Sequence, residues 1–416
     1  IYMKNNIFAP QNNIVKGKIK LNGSKSISNR VLIIEALSGK KIKIDNLSEA
    51  DDTQTLKALL KSGKKKLNAG AGGTTFRFLT AFLACQEGRK VELTGSERMQ
   101  QRPIKILVDA LNQLGADITY LKEDGFPPLK IKGKKLVGGS ITIPADTSSQ
   151  YISALLMIAP TLEKGLVLTL EGEIVSKPYI QMTINLMNQF GAKASFEKQT
   201  ITVEPGAYTA KKFFVEADWS AASYFYEIAA LAEYSIIRIK GLQENSLQGD
   251  AVISEIMSDF GIETTFLKNE IQIKKIAEVE KLKWSYDFIQ CPDLAQTMIT
   301  LCAAKNINAQ LKGLSTLLIK ETDRVAALNT ELSKYNAGLV FNPVKNNWLL
   351  EASDFKAIPD GESPIETYDD HRMAMAFAPL CLVTEQIIID DPMVVTKSYP
   401  DFWKDLEVLG FIVYPE

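Results

Sequence analysis

A pattern returns along this chain at intervals of roughly 70 residues, and nothing else in the sequence limits the possible fold so strongly. Each copy is an amphipathic helix, a Gly or Asn stop, and a short β hairpin. The clearest copies are RPIKILVDALNQLGADITYL at residues 102–121 and KPYIQMTINLMNQFGAKASFE at residues 177–197. Others are GDAVISEIMSDFGIETTFL from Gly249, DRVAALNTELSKYNAGLVF from Asp323 and PDFWKDLEVLGFIVY from Pro400. A weaker one, ADDTQTLKALLKSG, starts at Ala50. In the second copy Ile180, Ile184, Met187 and Phe190 fall at helical spacing, and Gly191 supplies a left-handed stop. After the stop the period switches to the two-residue alternation of a strand, as in LKIKGKK and ITVEPG.

Between these copies lies a second set of helices, apolar on nearly every face. They read SISNRVLIIEAL, GTTFRFLTAFLAC, TSSQYISALLMIA, WSAASYFYEIAAL, DLAQTMITLCAA and DDHRMAMAFAPLCLV. A helix apolar all round is buried. Six buried and six amphipathic helices, interleaved with strands, predict an α/β fold of six units. Three units per domain is the natural grouping, with a boundary near residues 216–218. A chain of 416 residues is long enough for two or three domains.

Charge and rare residues exclude several classes of function. Forty-eight Lys+Arg against forty-nine Asp+Glu leave a net charge of −1, without the basic excess of a nucleic-acid or membrane-surface binder. His371 is the single histidine, so no multi-His metal site can form. Cys85, Cys291, Cys302 and Cys381 contain no CxxC pair, and reduced thiols are expected. No apolar run approaches the ~18 residues of a membrane span. The opening residues, IYMKNNIFAP, lack a secretion-signal pattern, which makes a cytoplasmic location the expectation.

The buried helices concentrate their polar residues in the first turn: Ser26, Ser28 and Arg30; Thr74, Thr75 and Arg77; Ser148, Ser149 and Gln150; Asp293; Asp370, His371 and Arg372. Ordinary N-capping accounts for the Ser, Thr and Asp. It does not account for Lys25, Arg102, Lys320, Arg324, Arg372 and Lys397 close by, because cations there oppose the helix dipole. A multiply anionic ligand at a shared centre would explain them. The Gly-rich run NAGAGGTTFR lacks the endings of a P-loop or dinucleotide site, so ATP and NAD are not indicated. Cys291 reads as a structural residue, since no second imidazole is present to activate the thiol, whereas His371 fits either a general base or a structural residue beside Arg372.

Taken in order, LNGSKSISNR, AGGTTFRFL, ERMQQRPI, DTSSQYISALLM, VSKPYI, IKETDR, DDHRMAMAF and VVTKSYPDFW span nearly the whole chain. This ordered set closely resembles the 5-enolpyruvylshikimate-3-phosphate synthase family. The resemblance implies a two-domain inside-out α/β barrel of six βαβαββ units, three per domain, with buried helices and outer sheets. It places a first strand, about residues 1–21, with the C-terminal domain. The expected division is therefore 22–217 against 1–21 plus 218–416, with the active site in the interdomain cleft.

The family transfers the enolpyruvyl group of phosphoenolpyruvate to the 5-hydroxyl of shikimate 3-phosphate, on the route to aromatic amino acids. By resemblance, Ser26, Arg30, Ser148, Ser149, Gln150, Ser176, Tyr179 and Lys320 contact shikimate 3-phosphate. Lys25, Gly73, Arg102, Gln150, Arg324, Arg372 and Lys397 cage phosphoenolpyruvate. Asp293 holds and deprotonates the attacking hydroxyl, and Glu321 and Lys25 exchange protons with the methylene carbon. No metal or other cofactor is implied, and the family suggests a monomer with small-molecule partners only. The phosphoenolpyruvate pocket is also where the herbicide glyphosate binds, and Gly73 marks the sensitive form. Ala71, Thr316 and Leu318 depart from residues common in the family. Two alternatives share the scaffold: a UDP-N-acetylglucosamine enolpyruvyl transferase, and an inactive anion-binding protein. The first characteristically carries a loop Cys, absent from residues 95–102; the second would not need Lys25, Asp293 and Glu321 together.

Overall fold

The six apolar segments form helices Lys25–Ser38, Gly73–Ala84, Ser149–Ile158, Trp219–Leu231, Ala295–Ala304 and His371–Phe377. The computed structural model describes residues 3–146, 148–280, 283–356 and 363–416. The chain divides into two compact units, Gly23–Val215 and Ile1–Asn22 joined with Glu216–Glu416. The breaks at 22/23 and 215/216 compare with 21/22 and 217/218 implied by the resemblance. Each unit contains three of the buried helices and, among the described residues, three sheets.

Four of the sheets share one topology. In the unit Gly23–Val215 one has the order Lys66–Asn68, Lys90–Thr94, Leu129–Lys132, Asp117–Tyr120. Its first pair is parallel and the other two pairs are antiparallel. A buried helix, Gly73–Ala84, connects the parallel pair, and an amphipathic helix, Lys105–Gln113, leads into the hairpin. That is one βαβαββ repeat. The sheet Gly139–Pro144, Leu166–Glu171, Thr200–Val203, Ala194–Glu197 repeats it, as do Ile14–Lys20 with 234–275 and Lys283–Asp287 with 308–351. A three-stranded sheet (Gln386–Asp390, Lys4–Phe8, Ile412–Pro415) and a parallel pair (Ile44–Asp45, Phe213–Phe214) complete the set. The stops behave as the pattern requires: Gly191 has φ +89° and Asn336 has φ +58°.

Three expectations need correction. The opening segment is two strands, not one: Lys4–Phe8 and Ile14–Lys20 lie in different sheets of the same unit, and residues 1–2 fall outside the described residues. Pro10 and the left-handed Asn12 and Asn13 break the extension between them. The segment from Asp369 is not one continuous helix: α-helix His371–Phe377 gives way to a 3-10 turn, Ala378–Leu380, because Pro379 has no N–H for the α ladder, and a short α-helix, Cys381–Thr384, follows. The copy from Gly249 is also irregular, running as 3-10 Gly249–Val252, α Ile253–Ile256 and 3-10 Met257–Phe260. Among the described residues no helix is long and apolar enough to cross a membrane.

Candidate active site

In the unit formed by Ile1–Asn22 and Glu216–Glu416, four cations and three carboxylates interlock. Arg324, only 2% exposed, is the first residue of helix Arg324–Ser333, whose cap Asp323 accepts the Ala326 N–H at 3.0 Å. Its guanidinium reaches Asp370 Oδ2 at 2.6 Å, Glu321 Oε2 at 2.9 Å and Asp293 Oδ1 at 3.3 Å. Arg372 Nη2 lies 2.8 Å from Asp293 Oδ2, and Lys397 Nζ 3.0 Å from Glu321 Oε1. Lys320 Nζ stands 3.9 Å from Asp293 Oδ1. Asp370 has two duties, since it also caps helix His371–Phe377 by accepting the Arg372 N–H at 2.9 Å. Charges this deeply placed are tolerable because each has a partner.

Neither Asp293 nor Glu321 serves as a simple helix cap. Asp293 sits in the single 3-10 turn Pro292–Leu294, and Glu321 precedes the Asp323 cap. Burial works to raise the Asp293 pKa, but Arg372, Lys320 and Arg324 outweigh it and hold the carboxyl far below the usual carboxylate range. Burial also acts against the Arg324 charge, and Asp370 and Glu321 reverse that effect and push its pKa up. Asp250, buried in the turn Gly249–Val252, accepts the Ser220 hydroxyl; burial first, and the charge of Asp293 second, push it up to about 7. Burial pushes the Cys291 thiol up to about 12, which suits its structural reading. His371 is buried too, its Nδ1 3.6 Å from Asp370 Oδ1.

The unit Gly23–Val215 holds the other sequence-predicted residues: Lys25, Ser26, Arg30, Gly73, Arg102, Ser148, Ser149, Gln150, Ser176 and Tyr179. Lys25 opens helix Lys25–Ser38 with Nζ 3.4 Å from Asp52 Oδ2. Arg30 is enclosed, donating to Thr183 Oγ1 at 2.7 Å, the Ser26 carbonyl at 2.8 Å and Ser153 Oγ at 3.0 Å. Burial lowers its pKa to about 10. Arg30 therefore spends most of its donors within the unit, bracing the carbonyl side of Ser26. Ser148 caps helix Ser149–Ile158 through the Gln150 N–H at 3.3 Å. The Gln150 side chain accepts from Arg77 Nη1 at 2.5 Å and donates to Thr74 Oγ1 at 2.9 Å. Ser176 precedes helix Lys177–Gln189 in the left-handed conformation, φ +55°. At Gly73 a Cβ would stand 2.7 Å from Arg102 Nη1 and 2.8 Å from Arg77 Nη1. A side chain there would require both guanidiniums to shift.

Over residues 10–64 and 57–406 the chain matches the family described as EPSP synthase (3-phosphoshikimate 1-carboxyvinyltransferase). The chain belongs to the EPSP synthase family. A relative named 3-phosphoshikimate 1-carboxyvinyltransferase, from Bacteroides fragilis strain YCH46, is 48% identical over 399 residues, covering 95% of this chain and 96% of its own. One of the same name from Haemophilus influenzae is 36% identical over 429 residues, covering 94% and 96%. The solved EPSP synthase of Acinetobacter baumannii shares the fold, with TM-score 0.77, 21% identity and coverage of 99% and 100%.

Sequence reasoning missed several partners of the candidate site residues in this EPSP synthase family member. Asp52 pairs with Lys25 from a copy read only for its helical period. Tyr224 takes Arg372 Nη1 at 3.1 Å from a helix read as wholly apolar. Arg77 and Asp370 were visible as first-turn polar residues, but their bonds to Gln150 and Arg324 were not.

Proposed function

We propose that this chain transfers the enolpyruvyl group of phosphoenolpyruvate to the 5-hydroxyl of shikimate 3-phosphate and releases phosphate. Family membership supports the reaction. In this reading Ser26, Arg30, Ser148, Ser149, Gln150, Ser176, Tyr179 and Lys320 serve shikimate 3-phosphate. Lys25, Gly73, Arg102, Gln150, Arg324, Arg372 and Lys397 serve phosphoenolpyruvate. The hydroxyl oxygen attacks the enol carbon while its proton passes to Asp293. The methylene carbon gains a proton, then loses it as the carbon–phosphate-oxygen bond breaks; Glu321 and Lys25 are the groups for those steps.

One observation carries the reading: the cations suited to the donor are already engaged by the acids suited to the proton steps. Arg372 and Arg324 hold Asp293, and Arg324 and Lys397 hold Glu321. A carboxylate and a phosphate arriving together would draw those cations, and Asp293 would regain proton affinity as a result. The donor thus prepares the base that deprotonates the attacking hydroxyl. A phosphate-release assay with phosphoenolpyruvate and either shikimate 3-phosphate or UDP-N-acetylglucosamine tests the proposal. Release with the shikimate ester alone is expected. Release with the sugar nucleotide alone, or with neither, would overturn it.

A further inference from the structure

The helix Trp219–Leu231 is buried along its length, yet it carries Ser220, Ser223, Tyr224 and Glu227. Their spacing, i, i+3, i+4 and i+7, puts them on one stripe of the helix. Each meets a different residue. Ser220 donates to Asp250, Ser223 bonds Thr297 at 3.1 Å, and Glu227 accepts from Thr300 at 2.7 Å. Tyr224 is the member whose hydroxyl ends on a cation of the candidate site, accepting from Arg372 Nη1 at 3.1 Å.

We infer that Tyr224 is a positioning residue for phosphoenolpyruvate, acting through Arg372; the inference rests on the functional reading in which Arg372 binds the donor. A guanidinium is planar, so anchors on both terminal nitrogens fix its plane as well as its place. Asp293 anchors Nη2 at 2.8 Å and Tyr224 anchors Nη1. The first anchor is one that catalysis disturbs, because Asp293 must turn to the attacking hydroxyl. The phenol has no part in the chemistry and keeps Arg372 in place throughout. It is itself rigid: Tyr224 is 1% exposed, and its ring meets Phe402 edge-on, 5.9 Å between centroids at 72°. Burial, against the pull of Arg372, pushes the phenol up to about 12, so it remains a neutral acceptor in the working range.

Tyr224→Phe removes one oxygen and leaves the ring and its packing. Steady-state kinetics should show KM for phosphoenolpyruvate rising about tenfold, the scale of one hydrogen bond to a charged group, with kcat and the other KM changed less than about twofold. In an Arg372→Ala background the same change should add nothing, since the phenol acts only through that side chain. An unchanged KM for phosphoenolpyruvate, an equal rise for both substrates, or an additive effect in the double variant would overturn the inference. Thermal melts run alongside separate stability from positioning: a lowered melting point with an unaltered KM also counts against it. If the wild type releases no phosphate with shikimate 3-phosphate, the functional reading fails instead. Titration calorimetry with phosphoenolpyruvate then still decides Tyr224 by the same comparison of the four proteins.

Discussion

At Asp293 two demands meet in one carboxyl group. A general base needs proton affinity, and Arg372, Lys320 and Arg324 take it away. In the proposed mechanism the ligand resolves this by competing for those cations. Asp293→Asn keeps the shape and cannot accept the proton, so turnover should fall roughly 10²-fold or more while calorimetric affinity for shikimate 3-phosphate changes far less. Asp250 makes the opposite case. Its carboxyl, facing Ser220, Asp218, Asp293 and Arg372, is pushed up to about 7, so between about pH 4 and pH 7 the folded chain holds a proton that the unfolded chain has lost. Stability contributed there therefore falls as pH rises through that window. Asp250→Asn should gain on the wild type by as much as a few kcal/mol in denaturant melts on going from pH 5 to pH 8; an equal difference at both would refute the assignment. Gly73→Ala is limited by contact rather than charge. Its Cβ would press on Arg102 Nη1 at 2.7 Å and Arg77 Nη1 at 2.8 Å, and both guanidiniums would have to move. Glyphosate, longer than phosphoenolpyruvate, should lose more from that shift than the substrate does. Inhibition assays should show its inhibitory concentration rising by a larger factor than KM. At this scale, residues in contiguous strings such as SSQ and DDHR could be read directly. Asp52, Tyr224 and Asp250 could not, because each meets its partner only after distant elements pack.

Helix starts organise this chemistry. Asp370 caps helix His371–Phe377 and also neutralises Arg324, two interactions that substitution can separate. Asp370→Asn retains a side-chain oxygen for the Arg372 N–H but loses the charge, leaving buried Arg324 with Glu321 and Asp293 as counter-ions, a loss that should fall below the ~3–5 kcal/mol of a fully orphaned buried charge. Asp370→Ala loses the cap too and should be about 1 kcal/mol worse. Urea denaturation of the two variants checks the order; equal stabilities would mean that the cap contributes nothing. The elements themselves were largely legible, because burial on all faces and a 3.6-residue period are local properties of the chain. Where local signals conflicted, the expectation failed. Pro379 ends the α ladder inside an apolar run, and Pro10 with two left-handed asparagines splits the opening strand. No local signal places Lys4–Phe8 between strands Gln386–Asp390 and Ile412–Pro415, since that pairing joins opposite ends of the sequence.

Along the sequence, Gly23–Val215 interrupts the other unit between Asn22 and Glu216. Within Gly23–Val215 the two ends lie side by side: a Cβ on Gly23 would meet Val215 Cγ1 at 3.0 Å, and Asn46 Nδ2 donates to the Val215 carbonyl at 2.9 Å. On the other side of the breaks, the Asp218 N–H reaches the Asn22 carbonyl at 3.2 Å. Glu216 pins that segment by accepting from Trp219 Nε1 at 2.9 Å, the Gln243 N–H at 3.0 Å and Ser246 Oγ at 2.6 Å. A unit with adjacent ends, its own sheets and its own buried helices satisfies the physical conditions for folding alone. Residues 23–215, produced as a separate chain, should therefore unfold cooperatively on heating and keep the mixed α/β circular dichroism of the parent. The isolated unit retains Ser26, Arg30, Ser148, Ser149, Gln150, Ser176 and Tyr179, so calorimetry should detect shikimate 3-phosphate, more weakly than with the full chain because Lys320 is missing. It should release no phosphate at all, since Asp293 and Glu321 belong to the other unit. A gradual, non-cooperative melt would show that the core of residues 23–215 depends on the rest of the chain. A cooperative melt without binding would count against the shikimate 3-phosphate roles proposed for these residues.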